Sequence, residues 1–170
     1  MERFESLSQE ELINRLKLAM DVATAVDGMW FRNVEKVLGF DKTNEINLEV
    51  WKHYPKVLAR RMKKYYELKK TGMEGVKEMI QLDPILVPMD FEFVDKDDQN
   101  MIFRVNKCPG LEAQERMNRT EFTCEKVEKV YLSAFAEMYD TRIKVKALKV
   151  PPRASENDIC CEWLFTMEKP

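Results

Sequence analysis

The stretch ILVPMDFEFVDKDDQNMIFRVNKC, residues 85–108, decides the fold class of this 170-residue chain. On both sides of the DKDDQN cluster at 95–100, hydrophobic and polar residues alternate, and this period of two is typical of β-strands. The cluster itself consists of residues that favour turns. The stretch therefore predicts a β-hairpin, and Pro88 indicates that its first strand lies at a sheet edge or carries a bulge.

Upstream of this hairpin, the apolar residues recur every three or four positions, as they do in amphipathic helices. The capping-box pattern SQEE opens a predicted first helix over 8–38, and Gly39 ends it. A second helix is predicted over 44–70, with a kink or a break at Pro55. A short third helix is predicted over 72–82.

Downstream of the hairpin, the pattern returns to helix and then to strand. We predict a helical stretch over 111–120, a helix over 124–139 capped by Thr123, and strands over 142–150 and 159–168. The order of elements is typical of an α+β protein. The predicted architecture is an N-terminal helical hairpin plus an antiparallel four-stranded sheet covered by helices.

Length and composition limit the domain organisation and the partners. We predict a helical part over 1–83 and an α+β part over 84–170, packed as one compact domain. The net charge is −2, and nucleic-acid-binding proteins usually carry a basic face, so no nucleic-acid partner is expected. Apolar runs are shorter than the roughly 20 residues that cross a bilayer, so no membrane partner is expected. The acidic N-terminus lacks an apolar signal core, which favours a cytoplasmic location.

Arg61 falls on the apolar stripe of the second helix, where an unpaired guanidinium is costly to bury. On the first helix, Asp27 and Glu35 share one face and are the predicted partners of Arg61. An inter-helix ion pair is one interpretation of this arrangement. The other is that Arg61, or Arg60 in its place, binds a ligand carboxylate, which suits the fork of a guanidinium.

In the second interpretation, the chain binds a small carboxylate or aromatic molecule between its N-terminal helices and its sheet. Aromatic side chains would wall the pocket, and Asp27 would lie beside Arg61. The predicted walls are Trp30, Phe31 and Trp163.

The chain has four cysteines, at positions 108, 124, 160 and 161. Because strand side chains alternate, Cys161 shares the inward face of the last strand with Trp163, and Cys160 points the other way. Cys108 ends one strand, Cys161 begins another, and Cys124 opens a helix. If these two strands are antiparallel neighbours, the three thiols converge.

Three interpretations of the thiols remain open. The first is a Zn²⁺ site with Cys108, Cys124 and Cys161 as ligands, completed by a carboxylate such as Glu125, Glu162 or Asp158. In the second, Cys124 or Cys161 is a nucleophile, and the helix dipole lowers the pKa of Cys124. The third is ordinary packing of buried thiols.

A nucleophilic thiol, or a thiolate-bound metal that activates water, would make the protein a hydrolase of C–N or C–S bonds. This is the alternative to a binding protein. A third interpretation is a homodimer joined through the long first helix.

Several short stretches occur together in an order that resembles an uncharacterised prokaryotic family related to L-2-amino-thiazoline-4-carboxylic acid hydrolase-like proteins. They are DGMWFRNVEKVLG (27–39), EVWKHYPKVLARRMKK (49–64), FRVNKC (103–108), FTCEKV (122–127), YDTRIKVKAL (139–148) with Pro151-Pro152, and CEWLFT (161–166). The C-terminal half is also similar in layout to vinyl-reductase-type small-molecule-binding domains.

In some domains of the latter type, cysteines and a glutamate hold zinc beside the pocket of an aromatic ligand. The resemblance therefore implies Cys108, Cys124 and Cys161 as metal ligands. Ala147 and Val150 stand in a region where family members often carry cysteines, which argues against an iron–sulfur centre.

Overall fold

The computed structural model describes residues 2–119 and 124–169. Its helices are α1 (Glu2–Glu5), α2 (Gln9–Leu38), α3 (Phe40–Met62), α4 (Gly72–Leu82), α5 (Pro109–Arg116) and α6 (Glu125–Tyr139). Its strands are β1 (Asp90–Asp97), β2 (Asn100–Lys107), β3 (Ile143–Lys149) and β4 (Cys161–Met167). The strands form one antiparallel sheet in the order β1-β2-β4-β3. The predicted α+β class with a four-stranded antiparallel sheet is confirmed.

The hairpin at 85–108 is present, but its first strand begins later than predicted. Residues Pro84–Leu86 form a 3₁₀ turn. Asp83 caps this turn, since its Oδ1 accepts a hydrogen bond from the N–H of Ile85 at 3.0 Å. Pro88 lies in the turn before β1 rather than within it. β1 is an edge strand, in agreement with the prediction.

The two N-terminal helices meet at Gly39, whose φ of +79° suits a residue without a side chain. The N–H of Glu11 donates to Ser8 Oγ at 3.1 Å, which confirms the predicted cap of α2. α3 continues through Pro55 without a break and ends at Met62, eight residues before the predicted end. Beyond Met62, Tyr65 is 80% exposed, so burial no longer supports the helix.

The hydrophobic core lies between one face of the sheet and helices α3, α4 and α6. Trp163 and Phe165 of β4 are fully buried against Leu132 and Phe135 of α6. Burying one such side chain contributes about 1.5–3 kcal/mol. The opposite sheet face is more polar: Arg104 bonds Glu162 at 2.6 Å and Glu92 at 2.9 Å. One apolar and one polar face are what an antiparallel sheet covered on one side requires.

The helices after the hairpin differ from the predictions in two details. α5 occupies Pro109–Arg116 and starts two residues before the predicted stretch. The predicted cap Thr123 lies outside the described residues.

Candidate functional site

Three of the four thiols lie where the sheet meets the start of α6. β2 and β4 are antiparallel neighbours, with Val105 opposite Cys161, so the end of one strand lies beside the start of the other. Cys108 follows β2 directly, and Cys124 precedes the first turn of α6. The thiols of Cys108, Cys124 and Cys161 interact electrostatically with one another. The predicted neighbourhood of these two strands is therefore confirmed.

The carboxyl group of Glu128 lies close enough to these three thiols to raise their pKa values. Glu128 follows Cys124 by one helical turn, and its N–H donates to the carbonyl of Cys124 at 2.8 Å. Burial, and secondly the negative charge of Asp83, raise the pKa of Glu128 to about 7. Within 2–119 and 124–169, no hydrogen-bond donor reaches the carboxylate of this half-buried residue. We call Glu128 with Cys108, Cys124, Cys160 and Cys161 the thiol–carboxyl cluster.

The thiols of this cluster are held in their neutral form. Burial raises the pKa of Cys108 to about 11, and a hydrogen bond from the Leu111 N–H lowers it only in part. The pKa values of Cys124 and Cys161 are also raised, first by burial and next by Glu128. The predicted lowering of the Cys124 pKa by the helix dipole is therefore wrong, because desolvation outweighs it.

Asp83, which lies directly after α4 and before Pro84, forms a second buried polar group. Its side chain is fully buried and accepts hydrogen bonds from Tyr54 Oη at 2.7 Å and Tyr131 Oη at 2.6 Å. Burial raises the pKa of Asp83, although these hydrogen bonds act in the opposite direction. The Asp-Pro dipeptide signals a helix end and carries no sign of the distant tyrosines.

The strand alternation predicts that Cys160 points away from Cys161, and the structure shows that Cys160 is nevertheless buried. It is 1% exposed because it precedes β4 and its Sγ donates to the carbonyl of Asn106 at 3.4 Å. Arg153 approaches the same sulfur at 3.8 Å and also forms a bidentate pair with Glu115, at 2.8 and 2.7 Å. The segment before β4 is thus folded back over the thiol.

The residues predicted to bind a ligand are not brought into one cavity. Trp163 has no exposed surface, and its Nε1 is buried without a hydrogen-bond acceptor, although the indole lies close enough to lower the pKa of Cys161. A side chain without accessible surface cannot line an open pocket. Trp30 is 47% exposed on α2, and Arg61 is exposed on α3.

The predicted ion pair of Arg61 is wrong. Glu35 pairs with Arg119, whose guanidinium lies 5.9 Å from the ring centroid of Phe31. Asp27 is exposed, although neighbouring atoms desolvate its carboxyl group enough to raise its pKa. Arg61 itself has no ion pair among the described residues.

The predicted zinc site gains no support from the arrangement of donors. In the described part of the chain, no three His, Cys, Asp or Glu side chains are placed so that they can hold a metal ion. Of the predicted fourth ligands, Glu162 pairs with Arg104, Asp158 pairs with Lys149 at 2.7 Å, and Glu125 is exposed. We therefore derive no chemistry through a metal.

Comparison with known proteins identifies the family. A model of the family of unknown function DUF6125 matches residues 5–167. The chain belongs to DUF6125. No curated protein matches the chain, and no solved structure matches it.

The DUF6125 match agrees with the prediction of an uncharacterised family. Kinship with thiazoline hydrolase-like proteins or with vinyl-reductase-type domains stays a prediction. None of the helices in the described ranges has the length and apolarity that crossing a membrane requires.

Proposed function

We propose that this protein binds a small molecule at the thiol–carboxyl cluster, and that the Glu128 carboxylate accepts a hydrogen bond from a nitrogen of the ligand. The observation that carries the proposal is a half-buried carboxylate with no donor among the described residues, beside three thiols. Polar groups in a protein interior are normally hydrogen-bonded. A partly accessible one without a partner is a candidate for ligand contact.

The charges around Glu128 favour a ligand that carries an amine or amidine group. The charged neighbour that shifts its pKa is Asp83, which is also acidic. A second negative charge disfavours ligand carboxylates, whereas a protonated nitrogen relieves the repulsion. The carboxylate ligand predicted from Arg61 is less well supported, because Arg61 is exposed.

The residues of the cluster differ in burial. Cys108 and Cys124 are half-buried, so a small molecule has access to them. Cys161 and Tyr131 are buried and form the inner side. Such a site, apolar and sulfur-lined with one carboxylate, suits a compact apolar body with a nitrogen donor.

Benzylamine, benzyl alcohol and benzoate share one ring and differ in charge, so they test the proposal directly. Each is titrated at pH 8 while the melting temperature and the binding heat are followed. We expect benzylamine to raise the melting temperature more than the other two, since a ligand stabilises the state that it binds. The response should vanish in Glu128→Gln and persist in Glu125→Gln, a change at an exposed position of the same helix. Equal responses to the three ligands, or an unchanged response in Glu128→Gln, would refute the proposal.

Hydrolysis of a C–N or C–S bond is the second candidate function, favoured by the pKa of Glu128 at about 7. A general acid–base works best when its pKa is near the operating pH. The 2-amino-thiazoline ring, to which the resemblance points, is a cyclic isothiourea and offers the nitrogen donor that Glu128 lacks. In this scheme, the Glu128 carboxylate takes a proton from the water that attacks the ring carbon between nitrogen and sulfur, and it returns a proton to the sulfur as the C–S bond breaks.

Cleavage of the ring C–S bond would release a thiol. Incubation of L-2-amino-thiazoline-4-carboxylic acid with the protein, followed by a colorimetric thiol assay, tests this. Thiol release that is lost in Glu128→Gln and kept in Glu125→Gln supports hydrolysis. Binding without thiol release would refute hydrolysis and would be consistent with the binding function.

A further inference from the structure

Helix α2 exposes far more apolar surface than a helix packed on its own chain. It has 30 residues, and at 1.5 Å per residue it is about 45 Å long. Of its residues, Phe31 is buried. Large apolar side chains along it are 40–79% exposed: Leu12, Leu16, Val26, Trp30 and Val37. A surface of this kind marks an interaction site.

These residues follow the spacing of a coiled-coil seam. Alternating steps of four and three place one stripe at positions 12, 16, 19, 23, 26, 30, 33 and 37. This average period of 3.5 lets two helices stay in contact over their length. Phe31 and Glu35 lie off the stripe and turn toward the body of the protein, where Glu35 pairs with Arg119. Within the described part of the chain, the stripe is therefore exposed and available to a partner.

We propose that α2 pairs with α2 of a second copy as an antiparallel coiled coil, in the register where the numbers of facing seam residues add to 49. Trp30 then faces Ala19 of the partner subunit. Val26 faces Ala23 of the partner subunit in the same way, and each contact occurs twice, as twofold symmetry requires.

The sizes of the side chains favour this register over a parallel one. A parallel pair sets Trp30 against Trp30 and Ala19 against Ala19, which makes one layer too thick and another empty. The antiparallel register puts a large side chain opposite a small one, as close packing requires. Leu12 faces Val37 at both ends, and Asn33, whose amide donates to the Met29 carbonyl at 2.8 Å, faces Leu16.

The charges at the helix ends also agree with the antiparallel register. The first turn of α2 carries Glu10 and Glu11, and the last turn carries Lys36. Antiparallel pairing brings Lys36 of one copy within about a turn of Glu11 of the other, given 3.6 residues per turn. It also sets the two helix dipoles in opposite directions.

The exposed area is sufficient for a dimer. Eight large apolar side chains are about half exposed on this side of α2: five on the stripe, and Ile13, Val22 and Met29 beside it. Burying their exposed surface removes on the order of 400–500 Å² of apolar surface from each copy. A standard interface buries about 800 Å² per partner, of which roughly 57–65% is apolar. The two values agree.

Sedimentation velocity and light scattering over a concentration series provide the first test. We expect a mass of about twice 20.2 kDa for the native chain. Val26→Glu should weaken the dimer at least tenfold, because it puts a charge in the seam. Thr24→Glu, which adds the same charge beside it on an exposed position off the seam, should leave the dimer intact. A monomer at every concentration, or a dimer that Val26→Glu does not weaken, overturns the proposal.

Exchange of side-chain size tests the register. Ala19→Trp alone sets two tryptophans in one layer, and Trp30→Ala alone leaves a gap, so each should weaken the dimer. The double variant Ala19→Trp with Trp30→Ala restores one large and one small residue per layer and should recover the native affinity. If the dimer of the double variant is as weak as the dimers of the single variants, the register is wrong.

Cross-linking tests the direction of the helices. Leu12→Cys and Val37→Cys chains are mixed and joined with a short bis-maleimide. Antiparallel pairing predicts the cross-linked heterodimer. Cross-linked Val37→Cys homodimers in its place would show parallel pairing and overturn the proposal.

Discussion

Tyr131 and Asp83, 48 residues apart in sequence, are joined by a hydrogen bond of 2.6 Å between the tyrosine hydroxyl and Oδ2. Oδ1 accepts from Tyr54 at 2.7 Å, so one buried carboxyl group connects α3, the end of α4 and α6. The network lies beside Glu128, whose pKa Asp83 raises. The stability of this helical layer and the properties of the candidate site are therefore linked.

Removal of the Tyr131 hydroxyl should destabilise the protein more than removal of the Tyr54 hydroxyl. Tyr131 is 2% exposed, so Tyr131→Phe leaves a buried carboxyl oxygen without a donor, which costs about 2–3 kcal/mol. Tyr54 is half-buried, water can replace its hydroxyl, and Tyr54→Phe should cost about 1 kcal/mol. Urea unfolding measures the free energy of unfolding of both variants, with Tyr65→Phe at an exposed position as the control. Equal losses in the two variants would contradict the role of burial.

Glu128 should make the protein less stable as the pH rises. Its pKa is about 7 in the folded protein, above the ordinary 4.5, so folding favours the protonated form. The stabilisation is complete below pH 4.5 and is lost as the pH rises through 7, and a shift of this size corresponds to about 3 kcal/mol. Glu128→Gln should lose much less stability than wild type between pH 5 and pH 8.

Unfolding free energies at both pH values check this difference, and Glu125→Gln serves as the matched control. Because the charge of Asp83 raises the pKa of Glu128, the difference between wild type and Glu128→Gln includes the interaction of the two carboxyl groups. Parallel pH profiles for wild type and Glu128→Gln would show that Glu128 titrates normally.

Two glycines in helices should respond in opposite ways to substitution by alanine. A Cβ at Gly28 of α2 meets nothing within 4 Å, so Gly28→Ala should stabilise the helix by about 0.5–1 kcal/mol. A Cβ at Gly75 of α4 would lie 2.3 Å from the ring of Tyr139 and 2.9 Å from the carbonyl oxygen of Lys70. Gly75→Ala should therefore destabilise the protein by about 1–3 kcal/mol. Thermal and urea unfolding show whether each variant is more or less stable than wild type. A Gly75→Ala variant as stable as wild type would mean that α4 and α6 are further apart than the structure shows.

The thiols should react slowly with iodoacetamide in the folded protein at pH 7.5. Alkylation requires the thiolate, and the raised pKa values of Cys108, Cys124 and Cys161 keep it scarce. Half-buried Cys108 and Cys124 should be modified before the two buried thiols, and urea should expose all four. Peptide mass spectrometry over time gives the order. One thiol that reacts within seconds would support the nucleophile of the hydrolase interpretation.

Local sequence patterns determined most of the secondary structure. The third predicted helix, 72–82, matches α4 in both bounds, and the Ser8 cap and the Gly39 stop bracket α2. The alternation of β4 correctly predicted that Cys161 and Trp163 face inward. These features depend on neighbours within a few residues, so the sequence alone is sufficient to show them.

Only the tertiary structure decided which surfaces meet. The sequence shows that α2 has an apolar stripe, and the structure shows that this stripe is exposed, because the body of the protein contacts α2 around Phe31 and Glu35. Glu128 carried no sign of its environment, since its neighbours Asp83 and Cys161 are distant in the chain. Periodicity shows that a helix has an apolar face, but contacts between distant segments determine what that face covers and which carboxyl group loses its water.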